Sequence, residues 1–197
     1  VVREAKSKQN TAHFGRVFPL CHKKNSEQPQ EFWTYRGRVV FQGNNITDET
    51  SAAALFADLG SSASLMTAGK LINLIASLPE CGGIQFDGTS AYTQAKLEGP
   101  ETWISLPKDR WPKEWHGKYD KPCVRCLKEL YGHPLAGLYW ERHCAAALVK
   151  QGFEKVTDWE CLYIHKQLGM LISIYVDDFK MCGKEGTLLP MIEQRNK

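Results

Sequence analysis

The sequence predicts an α+β fold in which helices pack against an antiparallel sheet. First, residues 171–176 form an apolar run typical of a buried strand, and residues 180–182 are expected to return from it as a hairpin. Second, Ile84 and Phe86 alternate with polar residues, which predicts a half-buried strand ending at Asp87. Third, the predicted order of elements is strand, helices, strand, strand, helix and hairpin, and this order suits an α+β fold.

Each element has its own signal. Residues 1–30 look irregular and end in a polar loop. Residues 63–78 are predicted to form a helix whose core face carries four apolar side chains at helical spacing: Leu65, Leu71, Leu74 and Ile75. The other predicted elements, in chain order, are a strand over 32–42, a helix over 51–59, weak helical character over 89–97, a helix over 138–150, strands over 161–165 and 169–176, and a short helix over 187–194.

The composition is that of a folded globular protein. The hydrophobic content is 43%, and 197 residues suffice for one sizeable domain or a domain with a small subdomain. The net charge of +3 permits nucleic-acid binding, and basic residues are concentrated in the first forty positions. They are Arg3, Lys6, Lys8, Arg16, Lys23, Lys24, Arg36 and Arg38.

The seven cysteines do not follow the pattern of a secreted disulfide scaffold. Their spacing is irregular, and the chain is longer than the small domains that depend on such a framework. The first residues do not resemble a signal peptide, and no apolar run reaches the roughly 18 residues of a membrane span. We therefore expect reduced thiols, an intracellular location and no membrane partner.

The tetrapeptide Tyr175-Val176-Asp177-Asp178 carries the main chemical signal. Its two carboxylates lie where the apolar strand is expected to turn. Adjacent carboxylates repel one another, and burying them without a partner is costly. A hard divalent ion such as Mg²⁺ relieves both problems and is bound by one or two carboxylates together with substrate phosphates. A solvated hairpin tip is the alternative, because Asp favours turns.

Asp87 is the candidate for a second acidic position. It ends a predicted strand, and Gly88 after it permits a close backbone approach. Because both acidic positions lie at strand ends, two neighbouring strands could bring them together. Pairs of metal ions held by such carboxylates catalyse in-line phosphoryl transfer in polymerases and nucleases.

Five blocks in this order resemble the reverse transcriptases of copia-type retrotransposons bounded by long terminal repeats. The resemblance covers roughly residues 36–183. The blocks are the basic strand Tyr35 to Gly43, Asp87 with Ala91-Tyr92, Leu130-Tyr131-Gly132 with Tyr139-Trp140, the stretch Gly152-Phe153 to Cys161-Leu162, and the tetrapeptide at 175–178. One departure is clear. After Leu-Tyr-Gly the family pattern runs Leu-Lys-Gln-Ala-Pro-Arg, where this chain has residues 133–138, His-Pro-Leu-Ala-Gly-Leu.

The resemblance implies an RNA-directed DNA polymerase that uses two Mg²⁺ or Mn²⁺ ions. Asp87 and Asp177 would bind both ions, Asp178 would support the site, and the carbonyl of Gly88 is a further candidate ligand. Deoxynucleoside triphosphates and an RNA or DNA primer–template would be the partners, together with the remainder of a Pol polyprotein. The cytoplasm, virus-like particles or the nucleus would be the location.

The resemblance also implies that Tyr92 and Gly132 bind substrate, and the sequence itself adds Arg36 and Arg38, for which a solvated strand face is the alternative. Tyr92 would lie under the sugar of the incoming nucleotide and exclude a ribose 2′-hydroxyl. Arg36 and Arg38 alternate on a strand and so share one face, which suits triphosphate binding by guanidinium groups. Gly132 belongs to the Leu-Tyr-Gly block, which in the family positions template and nucleotide.

The domain organisation expected from the resemblance is an irregular extension over residues 1–30 and a fingers and palm region over 31–197. The chain begins with Val1 rather than Met and stops soon after the hairpin. We therefore expect a piece of a longer polypeptide, without thumb or ribonuclease H domain. Two alternatives stay open: a catalytically degenerate remnant that only binds nucleic acid, and a different two-metal enzyme such as a nuclease or nucleotide cyclase.

Overall fold

A computed structural model describes residues 11–56 and 64–193 of the chain. These residues belong to two compact units. The first unit comprises residues 11–56 and 92–136, and the second comprises residues 64–91 and 137–193. The fold is mixed α/β with two sheets, one mixed and one antiparallel. In the described parts of the chain, no helix is long and apolar enough to cross a membrane.

Nine strands and four helices are described, together with three short 3-10 turns. The strands are β1 (Ala12–Lys24), β2 (Thr34–Phe41), β3 (Cys81–Asp87), β4 (Glu101–Ser105), β5 (Cys123–Arg125), β6 (Glu154–Lys155), β7 (Leu162–His165), β8 (Met170–Tyr175) and β9 (Asp178–Lys184). The helices are α1 (Met66–Ala76), α2 (Ala91–Gln94), α3 (Ala136–Lys150) and α4 (Glu185–Glu193).

The first unit contains a four-stranded sheet in the order β2-β1-β4-β5. The central pair β1 and β4 runs parallel, and the two outer pairs run antiparallel. One face of this sheet carries a core of four buried side chains, which are Val17, Phe41, Ile46 and Ile104. Leu130, from the Leu-Tyr-Gly block, packs against this core.

The second unit contains a five-stranded antiparallel sheet in the order β3-β9-β8-β7-β6. Helix α1 covers one face, where Ala68 and Ile72 pack with Leu162 and Cys182. On the other face Trp140 of α3 lies edge-on to Phe179. The predicted strand ending at Asp87 and the predicted hairpin are both confirmed, and they lie side by side in this sheet.

Two predicted elements are wrong. Within residues 1–30 we expected irregular chain, but residues 12–24 form the central strand β1. The second half of this strand is exposed and partly charged, so it lacks the alternation that signals a strand. The first half pairs with β4, which lies far along the chain. Within the helix predicted over 51–59, residues 51–56 form bends and an isolated bridge, and residues 57–59 lie outside the described part.

The Asp48 side chain gives a physical reason why no helix forms there. Its carboxylate accepts hydrogen bonds from the backbone N–H groups of Thr50 and Ala52, at 2.8 and 3.0 Å. The Thr50 hydroxyl donates a further hydrogen bond to the same oxygen. Such local side-chain bonds compete with the hydrogen bonds of a helix.

The buried face of α1 differs from the predicted one. Leu65 and Leu74 are exposed, whereas Ala68 and Ile72 are buried and only Leu71 and Ile75 of the predicted set pack partly against the core. Leu65 lies before the helix begins, so the face that meets the sheet runs through positions 68, 72 and 75. The spacing of the leucines therefore predicted a helix but did not predict which of its faces is buried.

We predict that Ile72→Ala lowers the free energy of unfolding by about 2–5 kcal/mol, because it leaves a cavity between α1 and the sheet. Leu74→Ala is the matched control on the same helix. Because Leu74 is 63% exposed and Ile72 only 2%, the control should cost less than about 1 kcal/mol. Urea unfolding of both variants measures the difference, and equal losses would contradict the observed helix orientation.

Candidate active site

Asp87 and Asp178 lie opposite each other on neighbouring strands. β3 and β9 pair antiparallel with Asp87 in register with Asp178 and Phe86 in register with Phe179. The two phenylalanine rings stack with centroids 5.0 Å apart and planes 5° from parallel. Because side chains in register share a face, both carboxylates lie on the sheet face opposite to these rings. Both aspartates are exposed.

Asp177 occupies the turn of the hairpin. Tyr175 pairs with Asp178, so Val176 and Asp177 are the only residues between β8 and β9. The expected return strand over 180–182 thus begins earlier, at Asp178, and only one carboxylate of the adjacent pair is a turn residue. Val176 has a φ of +56°, a left-handed conformation that is costly for a β-branched residue.

Both carbonyls of this turn accept hydrogen bonds from other elements. The indole Nε1–H of Trp140 donates to the Val176 carbonyl at 2.5 Å, and the Gly88 N–H donates to the Asp177 carbonyl at 2.6 Å. A Cβ on Gly88 would lie 3.1 Å from the Phe179 ring and 3.3 Å from the Asp177 carbonyl oxygen. The strained turn is therefore held from α3 and from the end of β3, next to Asp87.

The carboxylates suit a hard cation in their chemistry. Two like charges directly opposite each other on a sheet repel, and a cation between them would relieve this repulsion. Carboxylate oxygens are also the ligands that Mg²⁺ and Mn²⁺ prefer. Over residues 11–56 and 64–193, however, no three side chains of Asp, Glu, His or Cys stand in an arrangement that could hold a metal ion. The strand register thus assembles Asp87 with Asp178, and Asp177 does not join them in a group of three.

Tyr92 and Arg38 both pack against Tyr131, within the first unit. The rings of Tyr92 and Tyr131 meet edge to face, with centroids 4.7 Å apart. The Arg38 guanidinium carbon lies 5.2 Å from the centre of the Tyr131 ring, which is a cation–π distance. Tyr131 therefore links two of the predicted substrate-binding side chains.

Gly132 and Arg36 complete the predicted set in this unit. Gly132 has a φ of +90°, and a Cβ there would lie 2.3 Å from the Phe41 carbonyl oxygen. This close approach goes with a hydrogen bond from the Phe41 N–H to the Tyr131 carbonyl at 2.7 Å. Arg36 lies two residues before Arg38 on β2, where both residues are exposed, so the two arginines share a face as expected.

The predicted site residues thus divide between the two units. Asp87, Gly88, Asp177 and Asp178 belong to the second, and Arg36, Arg38, Tyr92 and Gly132 belong to the first. The sequence analysis assigned no individual role to Trp140 or Tyr131. Both lie in the block that resembles the family, but their contacts with residues 176, 38 and 92 are long-range and have no local sequence signal.

A family model described as reverse transcriptase (RNA-dependent DNA polymerase) matches residues 6–196. Because this match spans nearly the whole chain, the protein belongs to that family, which is typical of copia-type retrotransposons. Membership implies RNA-dependent DNA polymerisation with a nucleic-acid template, nucleotide substrates and divalent metal ions. The resemblance inferred from the five blocks is confirmed. No curated protein matches the chain significantly.

We predict that Trp140→Phe loosens the hairpin turn, because it removes the donor to the Val176 carbonyl. The free energy of unfolding should fall by about 1–3 kcal/mol, the cost of an unsatisfied polar group. Hydrogen exchange of the Gly88 amide, which donates to the neighbouring Asp177 carbonyl, should become faster.

Trp111→Phe is the matched control, because the Trp111 indole donates in the same way to the Leu106 carbonyl at 3.0 Å, within the first unit. This control should lower stability without a selective change at Gly88. Unchanged Gly88 exchange in Trp140→Phe would contradict the anchoring role of the indole.

Proposed function

We propose that this chain is the fingers and palm region of a copia-type reverse transcriptase and that Asp87, Asp177 and Asp178 bind its catalytic metal ions. The second unit would be the palm, and the first unit would supply the fingers. The observation that carries the proposal is the register of β3 and β9, which brings Asp87 opposite Asp178 beside a strained and anchored turn.

The residues of the second unit have separable roles in this mechanism. When bound, two Mg²⁺ or Mn²⁺ ions activate the primer 3′-hydroxyl and neutralise the triphosphate and the leaving pyrophosphate. Asp87 and Asp177 would hold both ions through their carboxylate oxygens, with Asp178 and the Gly88 carbonyl as supporting groups. Trp140 and the Gly88 N–H would keep the turn, and with it Asp177, in place.

The residues of the first unit would bind the deoxynucleoside triphosphate and the template. Arg36 and Arg38 on one face of β2 suit the phosphates, because guanidinium groups bind phosphate oxygens in a bidentate manner. Tyr92, supported edge-on by Tyr131, would occupy the space that a 2′-hydroxyl needs. Gly132 would allow the Leu-Tyr-Gly block to approach the end of β2 closely enough to present Tyr131.

We predict that Asp177→Asn lowers primer extension on an RNA template with Mg²⁺ or Mn²⁺ by on the order of 100-fold or more, the usual effect of removing an electrostatic contact to the transition state. Asp109→Asn is the control, since Asp109 is exposed and pairs with Arg110 in the first unit. A second variant, Asp178→Asn, gives a test that measures metal binding through the melting temperature and does not depend on catalysis.

In the absence of divalent ions, Asp178→Asn should raise the melting temperature slightly, because it removes the repulsion across β3 and β9. Added Mg²⁺ should then raise the melting temperature of the wild type but not of this variant, since a bound ligand stabilises only the state that binds it. Salt-dependent binding of primer–template without extension, in wild type and variants alike, would instead indicate a degenerate remnant.

We predict that Tyr92→Val raises the use of ribonucleotides relative to deoxynucleotides by about 10- to 100-fold, the range in which a small change of pocket size discriminates substrates. Tyr92→Phe keeps the ring against Tyr131 and should keep the discrimination. Comparing kcat/KM for dTTP and UTP measures the effect. A nuclease or cyclase with the same carboxylates should show no such change.

A further inference from the structure

Two buried polar residues, Glu129 and His133, flank the Leu-Tyr-Gly turn over residues 130–132. Glu129 is 0% exposed and His133 is 7% exposed, and both belong to the first unit. The Glu129 Oε2 atom lies 3.2 Å from the His133 Nδ1 atom. Among the described residues, neither carboxyl oxygen of Glu129 has a hydrogen-bond partner, and neither does the His133 Nε2 atom, so the 3.2 Å approach is a close polar contact without the geometry of a hydrogen bond.

The contact between the two side chains is polar and buried. The backbone N–H of Leu135 donates to the His133 Nδ1 atom at 3.3 Å, and the Glu129 Oε2 atom lies beside the same nitrogen. Removing one of the two side chains leaves the other buried with one polar neighbour fewer, which is unfavourable.

A second imidazole, that of His13, lies near the pair. His13 meets Phe56 edge to face, and Phe56 in turn lies against His133. Burial, and then the charge of His133, lower the pKa of His13, although Glu49 and Asp48 oppose the shift. The pair therefore lies beside a cluster of packed rings.

The pair brackets the segment that carries Tyr131. Glu129 and His133 are four residues apart, and the chain between them turns through Gly132 with its positive φ. The Glu129 N–H donates to the Ala95 carbonyl, which lies just after the helix that carries Tyr92. The His133 N–H donates to the Leu130 carbonyl, and the ring of His133 lies edge-on to Phe41.

We propose that Glu129 and His133 are positioning residues for nucleotide binding: their buried contact closes the turn over 130–132 and thereby fixes Tyr131, against which Tyr92 and Arg38 pack. Because Tyr92 and Arg38 bind nucleotide only under the proposed function, this role rests on that function. His133 is also the first residue at which the chain departs from the family pattern, so the departure supplies the polar neighbour of Glu129.

The test is hydrogen exchange of two amides in the first unit. The Phe41 N–H donates to the Tyr131 carbonyl and reports on the turn, whereas the Cys126 N–H donates to the Thr102 carbonyl at 2.8 Å and reports on the sheet. In Glu129→Leu the Phe41 amide should exchange at least about tenfold faster while the Cys126 amide changes little, because only the local opening becomes easier.

Two further variants make the test decisive. Glu129→Leu/His133→Leu replaces both polar side chains of the pair with apolar ones, so it should fold even where a single variant does not. It should still show fast exchange at Phe41. Glu154→Leu breaks an exposed ion pair with Lys166 and should leave both amides unchanged.

Nucleotide kinetics give the functional readout. The KM for dTTP in primer extension should rise on the order of tenfold in Glu129→Leu with kcat nearly unchanged, the pattern of lost binding rather than lost chemistry. Wild-type protection of Phe41 in the double variant, or equal acceleration at Phe41 and Cys126, would overturn the positioning role. Extension that survives Asp177→Asn would overturn the proposed function instead, and the exchange rates decide the role of the pair independently.

Discussion

The register between β3 and β9 is the constraint on which the candidate site depends. A slip of one residue would send Asp87 and Asp178 to different faces, because side chains alternate along a strand. Two contacts oppose such a slip: the Phe86 and Phe179 rings stack on the far face, and the Gly88 N–H reaches the Asp177 carbonyl just beyond the paired residues. The stacked rings on one face of the sheet thus help to determine which face carries the two carboxylates.

Unfavourable interactions are concentrated at this end of the sheet. Two like charges face each other across the strands, and a β-branched residue adopts a left-handed conformation in the adjoining turn. The Trp140 indole and the Gly88 N–H hold this arrangement in place, so the surrounding fold stabilises what the turn alone would not. Strain and like charges are thus concentrated beside the proposed cation site.

In the first unit, Tyr131 is the residue that brings the predicted substrate-binding side chains together. Tyr92 and Arg38 both contact its ring, and its carbonyl accepts a hydrogen bond from the last residue of β2. The segment that departs from the family pattern is not loosely attached here. His133 is buried beside Glu129, and Leu130 packs on the sheet core. His133, the first residue of the altered block, is therefore well integrated into the fold of this unit.

The sequence by itself determined the strand at Asp87, the hairpin at 175–178 and the family, because short-range alternation, turn residues and ordered motifs carry that information. Only the tertiary structure decided that β1 is a central strand, that Ile72 rather than Leu74 is buried, and that Asp178 pairs with Asp87 while Asp177 occupies the turn. These features depend on partners distant in the chain. A local pattern records that a residue is apolar or acidic but not which neighbour it meets.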